Sequence, residues 1–480
     1  MLKNKLALVF LFLTFFIIVS EQSKVYAVVK TITPSGNIVA TVGTLGPGDQ
    51  LIFEDGVYKQ TFVISGLNGT AANPIIIKAR NDGRAIIDGE AIENYTANPN
   101  SPCPGRKGFL LQNSSYVVLE GFYFRNHNGW GCNTGSVNGT RDGVSVGNSH
   151  NIIVRRVSER STISGANTNG FKVEKNSVNV LLEDVASYGN NRNGFVVNSS
   201  SQITIRRCFN YFEEFNNTDK SDQNTNFYSN LELHIGDVPN SIVENCVGFV
   251  KKGAVLKNLG GSLGNAVHGY LMGSANDRAF GLISKDATDA PYHFAGASSS
   301  LYENSIAINS NSGTGANRDG GGNAYNKFTW VNETKTAPSM DTYNGAISYQ
   351  NVLISGSNGL RAYLRYPSTA TTANVSWETT IYGDGAYLMP GSPQGATVIY
   401  RYQDGILTNV PLWPWPMEER IVFEAGISVT WATNGGLWKT LNGVYTNGPV
   451  KFGISDLRQL LLQLGTASNI FEYNNLVVNY

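Results

Sequence analysis

Short runs of alternating apolar and polar residues recur along this chain, each opened by glycine and closed by a polar turn. Gly108-Phe-Leu-Leu leads to Tyr116-Val-Val-Leu-Glu-Gly-Phe122, and Gly143-Val-Ser-Val leads to Ile152-Ile-Val-Arg-Arg-Val157. Gly170-Phe-Lys-Val leads to Val180-Leu-Leu-Glu-Asp-Val185, and Gly194-Phe-Val-Val leads to Ile203-Thr-Ile-Arg-Arg-Cys208. Leu231-Glu-Leu-His leads to Ile242-Val-Glu-Asn-Cys246, and Tyr302-Glu-Asn-Ser305 and Tyr349-Gln-Asn-Val352 read as degraded later copies. The period is irregular, about 23 to 38 residues in the clear part. Alternation with period two predicts short strands. One such unit cannot bury its apolar side alone, whereas stacked units can. The pattern therefore predicts an all-β, single-stranded parallel β-helix over residues 28–380, with length variation absorbed in loops on one side.

Aligning the copies places Phe122, Val157, Val185, Cys208 and Cys246 at one inward position. Coils lie about 4.8 Å apart. Cys208 and Cys246 are expected there as two small buried apolar groups, because parallel Cβ directions suit a disulfide poorly. Residues 253–258 (GAVLKN) fit the strand that follows Leu231-Glu-Leu-His.

The ends differ from the repeat. Lys3 and Lys5, the apolar run Leu6–Val19 and the small-residue end at Ala27 predict a signal peptide over residues 1–27. The mature chain is then secreted, with no membrane segment. Cleavage leaves 33 basic and 35 acidic residues from the 36 and 36 of the whole chain. No basic excess is available for nucleic acid. Four cysteines enter an oxidising space. Cys103 and Cys132 stand in neighbouring loops and are expected to form a disulfide. No Cys-x-x-Cys pair and no metal-ligand spacing among the five histidines is present, so no cofactor is expected. Residues 381–480 form a smaller C-terminal segment, with the motif Pro411-Leu-Trp-Pro-Trp-Pro and a helical pattern at Ser455–Gly465. Trp413 and Trp415 serve either as part of a lid or as stacking faces for sugar rings.

The start of the mature chain carries a family likeness. Leu45-Gly-Pro-Gly-Asp-Gln-Leu-Ile-Phe-Glu-Asp-Gly-Val-Tyr58, Asn73-Pro-Ile-Ile-Ile-Lys-Ala-Arg80 and Ala85-Ile-Ile-Asp-Gly89 resemble the first turn of the pectate-lyase-like right-handed parallel β-helix superfamily. The likeness extends over roughly residues 40–355. It implies a right-handed coil and a sugar-binding groove along one sheet face, and leaves the reaction open among lyases, hydrolases, epimerases and inactive proteins.

On that face the first outward position reads Ser145, Lys172, Val196, Glu232, then Val255 if 253–258 is the next strand. The second reads Gly147, Glu174, Asn198, His234, then Lys257. The turns before the strands add Arg141, Asp142, Asn167, Asn169, Arg192 and Asn193, flanked by Trp130 and Tyr188. Asn167-Thr168-Asn169-Gly170 is similar to a polygalacturonase-type motif in which Asp would replace Asn169. Asn191-Arg192-Asn193-Gly194 likewise stands where that motif carries paired Asp. Hydrolysis of this type needs two carboxyl groups, so that reading is rejected. The same substitution leaves calcium, which prefers charged oxygens, weakly supported. The face also partly resembles alginate- and chondroitin-lyase-type helices, with His and Lys in the places of Lys and Arg.

β-Elimination on a uronic acid needs a base and cations that neutralise the sugar carboxylate. One centre has Lys172 as base, its proton affinity lowered by Arg192 and partial burial, with Arg192 and Arg141 holding the carboxylate. The other has His234 as base with Lys257 and Lys252. Asn169, Glu174, Asn193, Glu232, Trp130 and Tyr188 would bind substrate. The plain alternative pairs Lys172 with Glu174 or Glu232, and gives Asn169 and Asn193 left-handed or stacked-amide roles. The expectation is a monomeric, secreted polysaccharide lyase on acidic polysaccharide. The alternative is a non-catalytic carbohydrate-binding or cell-surface protein.

Overall fold

The computed structural model describes residues 27–60, 62–81, 83–90, 108–127, 142–160, 169–189, 192–212, 228–234, 236–250, 267–285, 287, 292–293 and 296–303. Beyond these it describes strand segments only, at 306–308, 324–326, 329–333, 348–350, 353–356, 359–360, 400–403 and 406–411. The signal peptide, Cys103, Cys132, Trp413, Trp415 and the 455–465 pattern lie outside the described residues.

Each coil lays one strand on each of three parallel ladders. The first ladder, which carries the candidate chemistry, stacks eight strands: Val63–Ser65, Phe109–Gln112, Val144–Gly147, Asn169–Glu174, Asn193–Val197, Tyr228–Leu233, Val267–Met272 and Tyr292–His293. The other two ladders merge where three long strands, His150–Arg160, Val178–Gly189 and Ser201–Phe212, run through both. The described pairings of the first ladder are all parallel, as in Val144↔Phe171, Phe171↔Phe195 and Phe195↔Leu231. A strand–crossover–strand unit closes right-handed in nearly all parallel sheets. The architecture is a right-handed parallel β-helix. The later copies join it, with Tyr302, Tyr325 and Tyr349 in register on successive coils.

The interior is a set of like-on-like columns. Phe171 and Phe195 stack with centroids 5.0 Å apart, as do Tyr270 and Tyr292 at 5.6 Å. A short helix, Ile38–Val42, is capped by the Asn37 side chain accepting from the Ala40 amide at 3.0 Å, and its Ile38 and Val42 join the core. Among the described residues no helix is long and apolar enough to cross a membrane.

Corners need left-handed residues, and asparagine supplies many of them. Asn113, Asn148 and Asn176 have φ of 51°, 45° and 61° where the chain leaves the first ladder. Their short amides tolerate this conformation and bridge coils: Asn148 donates to Asn113 at 2.7 Å, and Asn179 to Asn151 at 2.6 Å. The amide stack expected of Asn169 and Asn193 thus falls on the corners. Those two asparagines are strand residues, absent from the left-handed set.

Two further expectations change. The strand after Tyr228–Leu233 on the first ladder is Val267–Met272, with Glu232 beside Leu271, and not 253–258. Residues 253–258 alternate and Val267–Met272 does not, so the pattern favours the wrong stretch. Cys208 and Cys246 stack as aligned but are bonded to each other, with Cα atoms 4.5 Å apart. That separation lies within the range a disulfide spans, so adjacent coils are close enough despite their parallel strands. The bond ties residues separated by 38 in sequence. Replacing both by alanine is expected to cost about 2–4 kcal/mol, read as a lower urea midpoint.

A serine column lines the same corner from inside. The Ser114 amide donates to Ser149 Oγ at 3.1 Å, and the Ser149 amide to Ser177 Oγ at 3.2 Å. In a neighbouring column, Asp277 accepts from the Ser241 amide of the preceding coil at 3.0 Å. Burial raises its carboxyl to about 7, against the lowering effect of the Ser241 and Ser274 amides. A raised carboxyl favours the folded state at low pH, and this contribution fades as pH rises from the unfolded value near 4 through about 7. Asp277→Asn keeps the acceptor without the charge. It is expected to melt higher than wild type at pH 8, by on the order of 1–3 kcal/mol, and no higher at pH 3.

Candidate functional site

The outer surface of the first ladder is built on a glycine column. Gly108, Gly143, Gly170 and Gly194 occupy equivalent strand starts, and polar side chains press against Gly143 and Gly170. A Cβ on Gly143 would sit 2.6 Å from Glu159 Oε2 and 2.9 Å from His127 Cε1. Glu159 is fully buried, accepts from Ser187 Oγ, and lies 3.7 Å from His127 Nε2. Burial holds the His127 ring down to about 4, outweighing the opposite pull of Asp142. Asp142 therefore stands between this interior pair and the outer face.

The outer face carries the columns expected from the pattern. Ser145 pairs with Lys172, Lys172 with Val196 and Val196 with Glu232; Gly147 pairs with Glu174. Lys172 Nζ lies 2.9 Å from Glu174 Oε2 and 3.8 Å from Asp142 Oδ2. Glu174 also meets Lys175 at 3.4 Å. Burial, the largest influence, pulls Lys172 down, and Arg192 adds to this; Asp142 and Glu174 together outweigh both, so its pKa is raised. The expected lowering does not occur, because two carboxylates reach the ammonium and hold its proton. A lysine held in its charged form is poorly suited to the base role expected of it. The pairing with Glu174 is present, and Asp142 adds to it.

Asn169 and Asn193 are buried and serve carboxylates. Asn169 Nδ2 donates to Asp142 Oδ1 at 2.7 Å, and Asn193 Nδ2 to Glu232 Oε2 at 2.9 Å. Asn193 Oδ1 accepts from the amide and hydroxyl of Ser229 at 2.9 and 3.1 Å. Each NH₂ group thus gives one of its two hydrogens to a protein carboxylate. Burial raises the Glu232 carboxyl, against the lowering effects of Arg192, His234 and the Asn193 amide. Arg192 accordingly lies near both Lys172 and Glu232. His234 is exposed, with Nδ1 3.3 Å from Asp237 Oδ1.

Tyr188 does not face this groove. It belongs to the third wall, in register with Tyr211 and buried with its ring 5.5 Å from Phe209, which leaves it no free face for sugar. Arg141, Trp130, Lys252 and Lys257 lie outside the described residues. Asp142, treated from sequence only as a turn residue, is the carboxylate at the centre of the Lys172 cluster. Its signal was present: Asp142-Gly143 occupies the same strand-start position as Asn169-Gly170 and Asn193-Gly194.

Calcium does not fit the described cluster. No group of three His, Cys, Asp or Glu side chains converges among the described residues, and the ammonium of Lys172 engages both Asp142 and Glu174.

The family model described as Chondroitinase B matches residues 32–169, a stretch that includes Asp142 and ends at Asn169. No curated protein matches the chain significantly. Similar solved structures include pectate lyase Pel9A (13% identity, TM-score 0.47, covering 76% of this chain and 87% of that one). They also include a rhamnogalacturonan lyase (14%, 0.48, 82% and 98%) and an alginate lyase from Paenibacillus sp. str. FPU-7 (13%, 0.42, 67% and 97%). From its coil-by-coil ladders and the matched first turns, the chain has the pectate-lyase-like right-handed parallel β-helix fold.

Proposed function

We propose that this is a secreted carbohydrate-active protein, a polysaccharide lyase that cleaves an acidic polysaccharide by β-elimination on the outer face of the first ladder. The observation that carries the reading is Glu232: its carboxyl feels both Arg192 and His234, so a cation and an imidazole flank one buried acid on one face.

The roles follow from what each group can do. Asp237 holds Nδ1 of His234, leaving Nε2 to take the proton from the ring carbon beside the sugar carboxylate. Arg192 neutralises that carboxylate and so makes the carbanionic charge tolerable. The released electron pair forms the ring double bond as the bond to the glycosidic oxygen breaks. Glu232, biased toward its protonated form, supplies the proton that the departing oxygen takes up.

The test is to incubate the mature chain with pectate, alginate, chondroitin and rhamnogalacturonan and follow the ultraviolet absorbance of an unsaturated uronide. A rising band on at least one polymer is expected. Binding without any band would instead support the non-catalytic carbohydrate-binding reading, which the ion-paired state of Lys172 favours.

A further inference from the structure

The second ladder runs through Ile75–Ala79, Ser115–Glu120, the first halves of the three long strands, Ile242–Glu244 and Arg278–Phe280. Its outer surface carries an aliphatic stripe. The rungs read Ile76, Val118, Ile153, Leu181, Thr204 and Ile242, one per coil. Each alternates with core residues such as Ile77, Val154 and Val243, so it points away from the interior. At the usual strand spacing the stripe is about 24 Å long. All its rungs except Val118 are half-buried.

The outward column beside the stripe is charged but neutralises itself. Arg155 reaches Glu120 at 2.6 Å, and Arg206 reaches Glu183 at 2.9 Å. What this face offers a partner is therefore apolar area.

Exposure falls along that charged column from coil to coil. The Arg155 side chain is 40% exposed and that of Arg206 13%. Glu244 and Phe280, on the next two rungs, are 0% and 1% exposed. Phe280 alternates with Ala279 of the core and so faces outward, yet it is shielded from water. The wall is covered from outside at these coils. The strand Tyr400–Gln403 lies there, with Cα atoms within 8 Å of Ile242–Glu244. It pairs antiparallel with Ile406–Pro411. The C-terminal segment thus returns to the second ladder at one end of the stripe. Beyond Pro411 the chain continues to Tyr480 and carries Leu457, Leu460, Leu461 and Leu464 at helical spacing, an apolar face that suits a sheet stripe.

We propose that the outer face of the second ladder is the docking surface of this chain's own C-terminal segment. Residues 400–411 sit at Ile242, and the chain beyond Pro411 lies along Leu181 and Ile153. Pro411 pairs with Tyr400, and a chain advances at most about 3.6 Å per residue. Trp413 and Trp415 therefore start beside this ladder. They take the lid role, and the groove of the first ladder is left to other residues.

Photo-crosslinking in the full mature chain tests this, with benzoylphenylalanine placed singly at Ile153, Leu181 and Ile242. Peptide mapping is expected to show bonds within one chain, from Ile242 to residues 400–411 and from Leu181 and Ile153 to residues 412–480. Bonds to a second chain or to another segment overturn the proposal, as does the absence of any bond. Hydrogen exchange gives an independent reading. Ile242→Lys is expected to speed exchange in 400–411 about 10- to 100-fold, the effect of losing one buried aliphatic contact. Peptides of the first ladder should keep their rates. Unchanged exchange in 400–411, or acceleration shared equally by the first ladder, overturns the proposal. Leu181→Lys, read in residues 412–480, serves where Ile242→Lys does not fold.

Discussion

Gly170→Ala is expected to lower the melting temperature of the mature chain by about 6–12 °C, while Gly147→Ala on the same ladder leaves it unchanged. A methyl on Gly170 would meet Ser187 Oγ, Glu159 Oε1 and, at 2.6 Å, the carbonyl oxygen of Gly194 on the next coil. The two side chains are buried and bonded to each other, and the carbonyl belongs to the ladder. None can withdraw without opening the coil, so the overpacking cost is about 3 kcal/mol or slightly more. At roughly 2–4 °C per kcal/mol for a domain this large, the expected drop follows. On Gly147 the same methyl meets only Lys175 Cδ at 3.7 Å and Glu174 Cγ at 3.8 Å, which is ordinary contact. Circular dichroism melts of the two variants decide the matter; equal melting temperatures would mean that the interior polar pair yields more easily than its packing implies.

His234→Ala is expected to reduce elimination about 10²- to 10⁴-fold, the range that a positioned proton-transfer group contributes. Its exposed imidazole, paired with Asp237, can be removed with little effect on melting. Lys172→Met should behave differently. Its ammonium is held between Asp142 and Glu174, so its loss leaves two partly buried carboxylates without that partner. The variant is expected to melt lower, by about 2–4 kcal/mol, and to lose about tenfold in elimination, mainly through KM. The comparison is read from initial rates across substrate concentrations. A kcat loss larger in Lys172→Met than in His234→Ala would restore the lysine as base and remove the histidine from that role.

The rungs of the helix were readable because each strand begins with a landmark, Gly-Phe or its variant. The alignment of Phe122, Val157, Val185, Cys208 and Cys246 reappears as one column of the structure. The outward series Ser145, Lys172, Val196 and Glu232 reappears rung for rung. The next rung was misread because GAVLKN alternates and Val267–Met272, with Leu271 at the outward position, does not, and only strand pairing reveals the latter. Lys172 was misread for a different reason. Its proton affinity depends on Asp142, which is distant along the chain and near only because the coils stack.

Period-two alternation and glycine landmarks by themselves determined the β-helix, its coil order and which side chains share a face, because these follow from local backbone geometry repeated along the chain. Only the tertiary structure decided that Cys208 bonds Cys246, that Asn169 and Asn193 serve buried carboxylates, and that Asp142 and Glu174 both reach the Lys172 ammonium. Those outcomes turn on distances of a few ångströms between neighbouring coils, and on burial that weakens the screening of charge. Neither quantity is written in any single stretch of residues.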